Sequence, residues 1–268
     1  MIVRLMGTGA AEGIPAFYSD SRVSRYARKH GGRDVRTRAG ALLDGQIKID
    51  LPPDTLMQLQ RDGLDAMDWS ALVFTHGHDD HFALRELQYC LWPFNDFEYA
   101  GFTIYGNEFV TQELADCYPD WPFEVVTTVS FQPIRHAGYT MTPLQANHLE
   151  DEDCHNLLFE TCGKSFLYAT DTGVWKEPTW AFLDGRKLDL LVLECTKGLT
   201  GDPYEGHLGV ADFKAVVKRL REMGTLSSAS LVVSTHHSHN GDATHAELEA
   251  AFKDDGVIVG YDGLEISV

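Results

Sequence analysis

Three histidines and two aspartates fall within the six positions His76-Gly77-His78-Asp79-Asp80-His81, directly after the apolar run Leu72-Val73-Phe74. Imidazole and carboxylate together suit zinc, manganese or iron. So many ionisable groups on one short loop are expensive to bury unless a cation balances them. The stretch is a poor way to build a core and a good way to build a metal site. Donors of the same kind stand singly behind other apolar runs: His148 after residues 139–145, Asp171 after residues 165–169, and His236 after residues 230–234. Each by itself reads equally as a hydrogen-bonded histidine or, for Asp171 with Gly173 close by, a turn-capping aspartate. In Thr235-His236-His237-Ser238-His239, strand alternation allows only one of His236 and His237 to face a metal.

Strands have to deliver these groups. Residues 2–6 form a short apolar strand ahead of Gly7-Thr8-Gly9-Ala10-Ala11-Glu12-Gly13. No helical pattern opens within that loop and Pro15 follows, so it reads as a close approach to another backbone or to an active site, not as a nucleotide cradle. Residues 41–50 suggest a hairpin around Asp44-Gly45, and Pro52-Pro53 introduces a helix over 54–61. A helix over 82–91 is expected to start directly after His81. Further strands are expected at 103–105, 125–131, 139–145, 157–161, 165–169, 188–194 and 230–234, and helices at 210–223 and 244–252. The metal-type residues thus recur at the C-terminal ends of apolar strands, where loops from different strands converge. Asp50 and Glu194 also end strands. Each reads either as a partner fixing the tautomer of a ligand histidine or as a turn or capping residue.

The formal charge of −18 argues against nucleic acid or an anionic membrane surface as the partner and favours a small substrate. Seven of the 22 basic residues concentrate in residues 16–38. They read as a solvated excursion or as a flap whose arginines meet an anionic substrate. The five cysteines are widely spaced without a CxxC pair, as reduced thiols are. With neither a leader pattern nor a membrane-length apolar run, a cytoplasmic location is expected. No linker or repeat divides residues 1–268, so one domain is expected, with a homodimer left open.

Taken in order, His76, His78, Asp80 and His81 as an HxHxDH signature, then His148, Asp171 and His236, resemble the metallo-beta-lactamase superfamily of metal-dependent hydrolases. The resemblance spans nearly the whole chain. It implies an α/β four-layer αββα sandwich with a dinuclear site of two divalent transition metal ions, zinc or manganese. His76, His78 and His148 would hold one ion, Asp80, His81 and His236 the other, and Asp171 would bridge them. Gly7-Thr8-Gly9 through Pro15, the 235–239 run and Gly260-Tyr261-Asp262-Gly263 resemble the branch that includes the cyclic-phosphate phosphodiesterase of phosphonate degradation and, more distantly, the tRNA 3′-processing nucleases. That branch implies hydrolysis of a small or cyclic phosphodiester by a metal-bridged hydroxide, with Asp80 and His207 as catalytic residues and His207 protonating the leaving alkoxide. His239 is expected to contact substrate or stand behind the ligands. Branch members can carry a cysteine-rich structural zinc site after the first glycine loop, whereas residues 16–38 contain no cysteine. An esterase, thioesterase or lactonase at the same site and a noncatalytic metal-binding sensor are the alternatives.

Overall fold

The computed structural model describes residues 1–95 and 101–268. Short apolar runs alternate with glycine-rich turns through the first half of the chain, giving β1 (Ile2–Gly7), β2 (Gly40–Leu43), β3 (Ile47–Ile49), β4 (Ala71–Val73), β5 (Thr103–Gly106) and β6 (Val125–Thr127). The second half forms β7 (Ile134–His136), β8 (Tyr139–Gln145), β9 (His155–Thr161), β10 (Lys164–Ala169), β11 (Leu188–Glu194), β12 (Leu226–Thr235) and β13 (Val257–Val259). The last strand, β14 (Glu265–Ser267), returns to the first sheet, whose order is β14-β1-β2-β3-β4-β5-β6. The second sheet runs β13-β12-β11-β10-β9-β8-β7. Both are mixed. In each, an antiparallel meander gives way to parallel strands, from β3 to β6 in one and from β10 to β13 in the other.

Period-two alternation separates the layers. In β11, Leu190 and Val192 enter the core between the sheets while Leu191 and Leu193 face outward into a helix-covered core. Both faces of such a strand are buried, which is why its sequence is apolar almost throughout. Helices α1 (Arg22–His30), α2 (Thr55–Asp62) and α3 (Glu108–Cys117) belong to the first half, and α4 (Glu177–Leu183), α5 (Val210–Glu222) and α6 (His245–Phe252) to the second. Val110 and Leu114 of α3 pack beneath the first sheet with Leu72, Phe74 and Ile104. Trp180, Phe213, Leu220 and Phe252 cover the second. The result is the expected four-layer αββα sandwich. Among the described residues no helix is long and apolar enough to cross a membrane, and all five cysteines are free.

Three expectations change. Residues 82–91 do not form an α-helix: Leu51 donates to the His81 carbonyl and accepts from Ala83, so the chain stays extended past the ligands and only a 3₁₀ segment, Leu84–Cys90, follows. The strand expected over 125–131 stops at Thr127. Residues 16–38 contain α1, capped by Ser21 and seated through Val23 and Ala27 against Ile14; the surrounding arginines hid that small apolar face. The glycine loop does lie against another backbone, since a Cβ on Gly7 would sit 1.9 Å from the Arg38 carbonyl oxygen.

Candidate metal centre

β8 is antiparallel to β9 and β9 to β10, so β8 runs in the same direction as β10, β11 and β12. Their C-terminal ends therefore meet at one edge, which delivers His148, Asp171, Glu194 and His236 together. β3 and β4 of the other sheet bring Asp50 and the 76–81 loop to the same place. Asp50, Asp171 and His236 adopt positive φ of 56°, 47° and 53° directly after their strands. Asp and His tolerate this left-handed turn better than branched residues do, and it is the kind of local strain that collects at functional sites.

The donors fall into the two expected groups. His76 Nε2 lies 3.0 Å and His148 Nε2 lies 3.3 Å from His78 Nδ1. Zinc–nitrogen bonds of about 2.0–2.1 Å in a tetrahedron separate the nitrogens by about 3.3–3.4 Å, so this convergence suits one shared cation. His81 Nε2 is 3.1 Å from Asp80 Oδ2 and 3.0 Å from Asp171 Oδ2, and His236 Nε2 is 3.1 Å from that same Asp171 oxygen. Despite these distances the buried Nε2 atoms of His81 and His236 have no hydrogen-bond partner. Imidazole nitrogens crowded against carboxylate oxygens in this way suit a cation between them; burial lowers the His81 pKa, but the same carboxylates, Asp80 and Asp171, with Asp50 behind, hold it well above the usual imidazole value. Asp171 presents Oδ2 to this second group and Oδ1 to His148 Nε2, 3.8 Å away, as a bridging carboxylate must. Burial tends to neutralise Asp171, yet His236 and His81 hold its pKa well below the carboxylate range. His76 shifts well below the usual imidazole value, first through burial and then through His81. Its Nε2 is kept free of a proton, as a ligand requires. Asp79 is exposed, and His237 is buried beside Ser234 on the other side of the backbone.

Two buried carboxylates orient the rings. Asp50 accepts from Thr75 N at 2.8 Å, from the Thr75 hydroxyl at 3.0 Å and from His81 Nδ1 at 2.8 Å. With its proton on Asp50, Thr75 Oγ1 accepts from His76 Nδ1 at 3.0 Å. Glu194 repeats the pattern: its carboxylate accepts from Thr172 N, Thr196 N, Leu208 N and Thr196 Oγ1, and Thr196 Oγ1 meets His236 Nδ1 at 2.8 Å. Its other imidazole is His207, whose Nδ1 lies 2.7 Å from Oε1. Burial lowers the His207 pKa, but Glu194, with Asp171 and Asp80 beyond it, overrides this and raises it to about 9. The His207 ring centroid lies 5.1 Å from that of His148 and 5.7 Å from that of His236.

The residues cover a cleft of about 370 Å³ walled by Ala10, Ala11 and Glu12 of the glycine loop, by segment 196–207, and by Ser238 and Asn240. A larger apolar cleft of about 480 Å³, lined by Leu56, Leu59, Met67 and Trp69 among others, holds none of these histidines and aspartates. His239 does not line the metal cleft; its Nδ1 meets Ser21 Oγ at 3.0 Å and its Nε2 lies 3.5 Å from Glu12. Sequence reading also missed Thr75, Thr196 and Glu152. Glu152 Oε1 accepts from Gly77 N at 2.8 Å and Asn107 Nδ2 at 2.6 Å, tying the His148 loop to the His76–His78 loop. Nothing in Glu150-Asp151-Glu152-Asp153 singles it out from a solvated acidic run. Gly173 is equally silent in sequence, yet a Cβ there would stand 1.7 Å from the Glu205 carbonyl oxygen.

A model of the beta-lactamase superfamily domain matches residues 46–237. Among solved structures, a diphosphatase from the PhnP family is 24% identical with a TM-score of 0.78, the match covering 100% of this chain and 97% of that one. Zinc-bound PqqB from Methylobacterium extorquens is 17% identical with a TM-score of 0.78, covering 100% of both chains. The short form of human tRNase Z is 16% identical with a TM-score of 0.68, covering 100% of this chain and 99% of that one. At such identities the likeness establishes the shared fold. No curated protein sequence matches the chain significantly.

Proposed function

Because the chain belongs to the beta-lactamase superfamily, we propose that it is a metal-dependent hydrolase acting on a small or cyclic phosphodiester at a site for two divalent metal ions, zinc or manganese. His76 Nε2, His78 Nδ1 and His148 Nε2 would hold one ion, Asp80, His81 and His236 the other, with Asp171 between. When bound, such ions act as Lewis acids that lower the pKa of water and draw charge from a phosphoryl group. The observation that carries the reading is the Glu194–His207 pair. His207 stands in the wall of the metal cleft, its Nδ1 held 2.7 Å from a fully buried carboxylate and its side chain 19% exposed. With Nδ1 donating to Glu194, Nε2–H is the proton available to an alkoxide leaving group. Glu194 stabilises the protonated ring, and its bond from Leu208 N fixes the ring's height in the cleft. Such an acid matters most where the leaving group is a poor one, as in alkyl phosphodiesters.

The direct test is metal analysis of the purified protein together with hydrolysis of bis-p-nitrophenyl phosphate and p-nitrophenyl acetate. Two ions per chain and faster hydrolysis of the phosphodiester are expected, with His76→Ala losing both metal and activity. Preference for the acetate would support an esterase instead, and metal binding without turnover a sensor.

A further inference from the structure

Phosphate-handling sites that accept more than one anionic group neutralise the extra charge with arginine or lysine. Here none of that help reaches the cleft. Arg22 is bound to Asp242 and Glu247, Arg25 to Asp20, Arg33 to Glu249, and Arg38 to Asp54. Arg28 donates to the carbonyls of Ala16 and Ser19, and buried Arg36 to Thr8 and the Gly260 carbonyl. Among the described residues the only lysine or arginine lining the cleft is Lys197. Its ammonium faces the Asp202 carbonyl at 3.0 Å, the Tyr204 carbonyl at 2.8 Å and Asp212 at 3.3 Å, which occupies all three of its donors. Lys197 therefore pins the 200–207 wall instead of meeting substrate.

The walls are acidic. Glu12 and Asp202 both line the cleft, together with His78, Asp80, His148, Asp171 and His236, and the buried Nε2 of His236 has no hydrogen-bond partner. Ser238 donates to Glu12 without removing its charge, and His239 Nε2 stands 3.5 Å from the same carboxylate. We infer that the site selects a phosphodiester whose one negative charge sits at the metals and whose organic groups are neutral or cationic, and that Glu12 and Asp202 repel a second phosphate. This substrate class rests on the phosphodiesterase reading above. A second phosphate in the cleft would face two carboxylates of its wall with no free lysine or arginine to balance it, a repulsion that solvent screens only in part.

Three p-nitrophenyl esters test it on zinc- or manganese-loaded protein: p-nitrophenyl thymidine 5′-phosphate, the same ester carrying a 3′-phosphate, and p-nitrophenyl phosphorylcholine. The added phosphate is expected to lower kcat/KM by about tenfold or more, the scale of one partly screened like-charge contact, and the choline ester to match or exceed the neutral one. Glu12→Gln should narrow the ratio between the two thymidine esters, and Asp202→Asn, on an exposed loop, should do so independently if Glu12→Gln folds poorly. Equal or faster hydrolysis of the phosphorylated ester, or a ratio unmoved by both substitutions, overturns the inference alone. Failure to hydrolyse any of the three overturns the phosphodiesterase reading and the inference with it.

Discussion

Asp50 and Glu194 are the same device built twice, once in each sheet. Each is a fully buried carboxylate at a strand end, each reaches one histidine through a threonine hydroxyl and a second directly. The outcomes differ because of what the second imidazole faces. His81, wholly buried, turns its Nε2 toward Asp80 and Asp171, while His207 lies in the cleft wall with part of its ring exposed. A carboxylate behind a histidine thus sets tautomer and basicity but not role. Whether the outward nitrogen meets other donors or an open cleft suits the ring to hold a metal or to give up a proton, the two roles proposed for His81 and His207.

The sharpest way to break the parallel is to disable each carboxylate in turn. His207→Ala should keep the metal yet lower kcat for an alkyl phosphodiester by about 10²–10⁴-fold, the usual reach of a general acid, and Glu194→Gln should lower kcat similarly while also weakening metal binding, because its carboxylate supports His236 through Thr196. A p-nitrophenyl ester, whose leaving group needs little protonation, should lose far less. Activity in the parent should fall as pH rises through about 9, where His207 loses its proton. In Glu194→Gln that limb should move down toward the free imidazole value of about 6.5; an unmoved limb would remove His207 as its source. Asp50→Asn should act the other way, weakening metal affinity by about 10–100-fold, as loss of a ligand's supporting partner does. Chelator competition should show both ions affected, since Asp50 supports His81 directly and His76 through Thr75.

Smaller effects test the surroundings. Glu152→Ala should weaken binding of the ion shared by His76, His78 and His148, with Glu152→Gln restoring it, because an amide oxygen still accepts from Gly77 N. Beneath Asp50, burial pushes the Lys48 ammonium down to about 7 even though Asp50 pulls it upward. An unfolded lysine titrates near about 10.4, so between these values the unfolded chain binds more protons and stability rises with pH. The penalty is fully present below about 7. Lys48→Met should therefore flatten the rise of Tm between about pH 7 and 9, measured against the parent.

Much was legible in the residues themselves. Period-two and period-3.6 patterns placed most strands and helices α2, α5 and α6, though not α1, α3 or α4, and the donor types at strand ends pointed to residues that the fold brings together, because a metal ligand must carry a lone pair whatever the fold around it. Strand alternation allowed only one of His236 and His237 to face a metal, and the family resemblance chose His236. What tertiary structure decided is everything that depends on which chain segments meet. Glu152 is one acid among four until Gly77 N is found beside it, and Thr75 and Thr196 are ordinary threonines until a carboxylate stands on one side and an imidazole on the other. The arginines of residues 16–38 read as a solvated run or as an anion-binding flap, yet Arg22 and Arg38 pair with Asp242, Glu247 and Asp54 outside the segment, while Arg25 and Arg28 bond within it to Asp20, Ala16 and Ser19, and these partners claim them for the fold. A side chain's chemistry is local and can be read from its letter, whereas its hydrogen bonds and its field belong to neighbours that only the folded chain brings within reach.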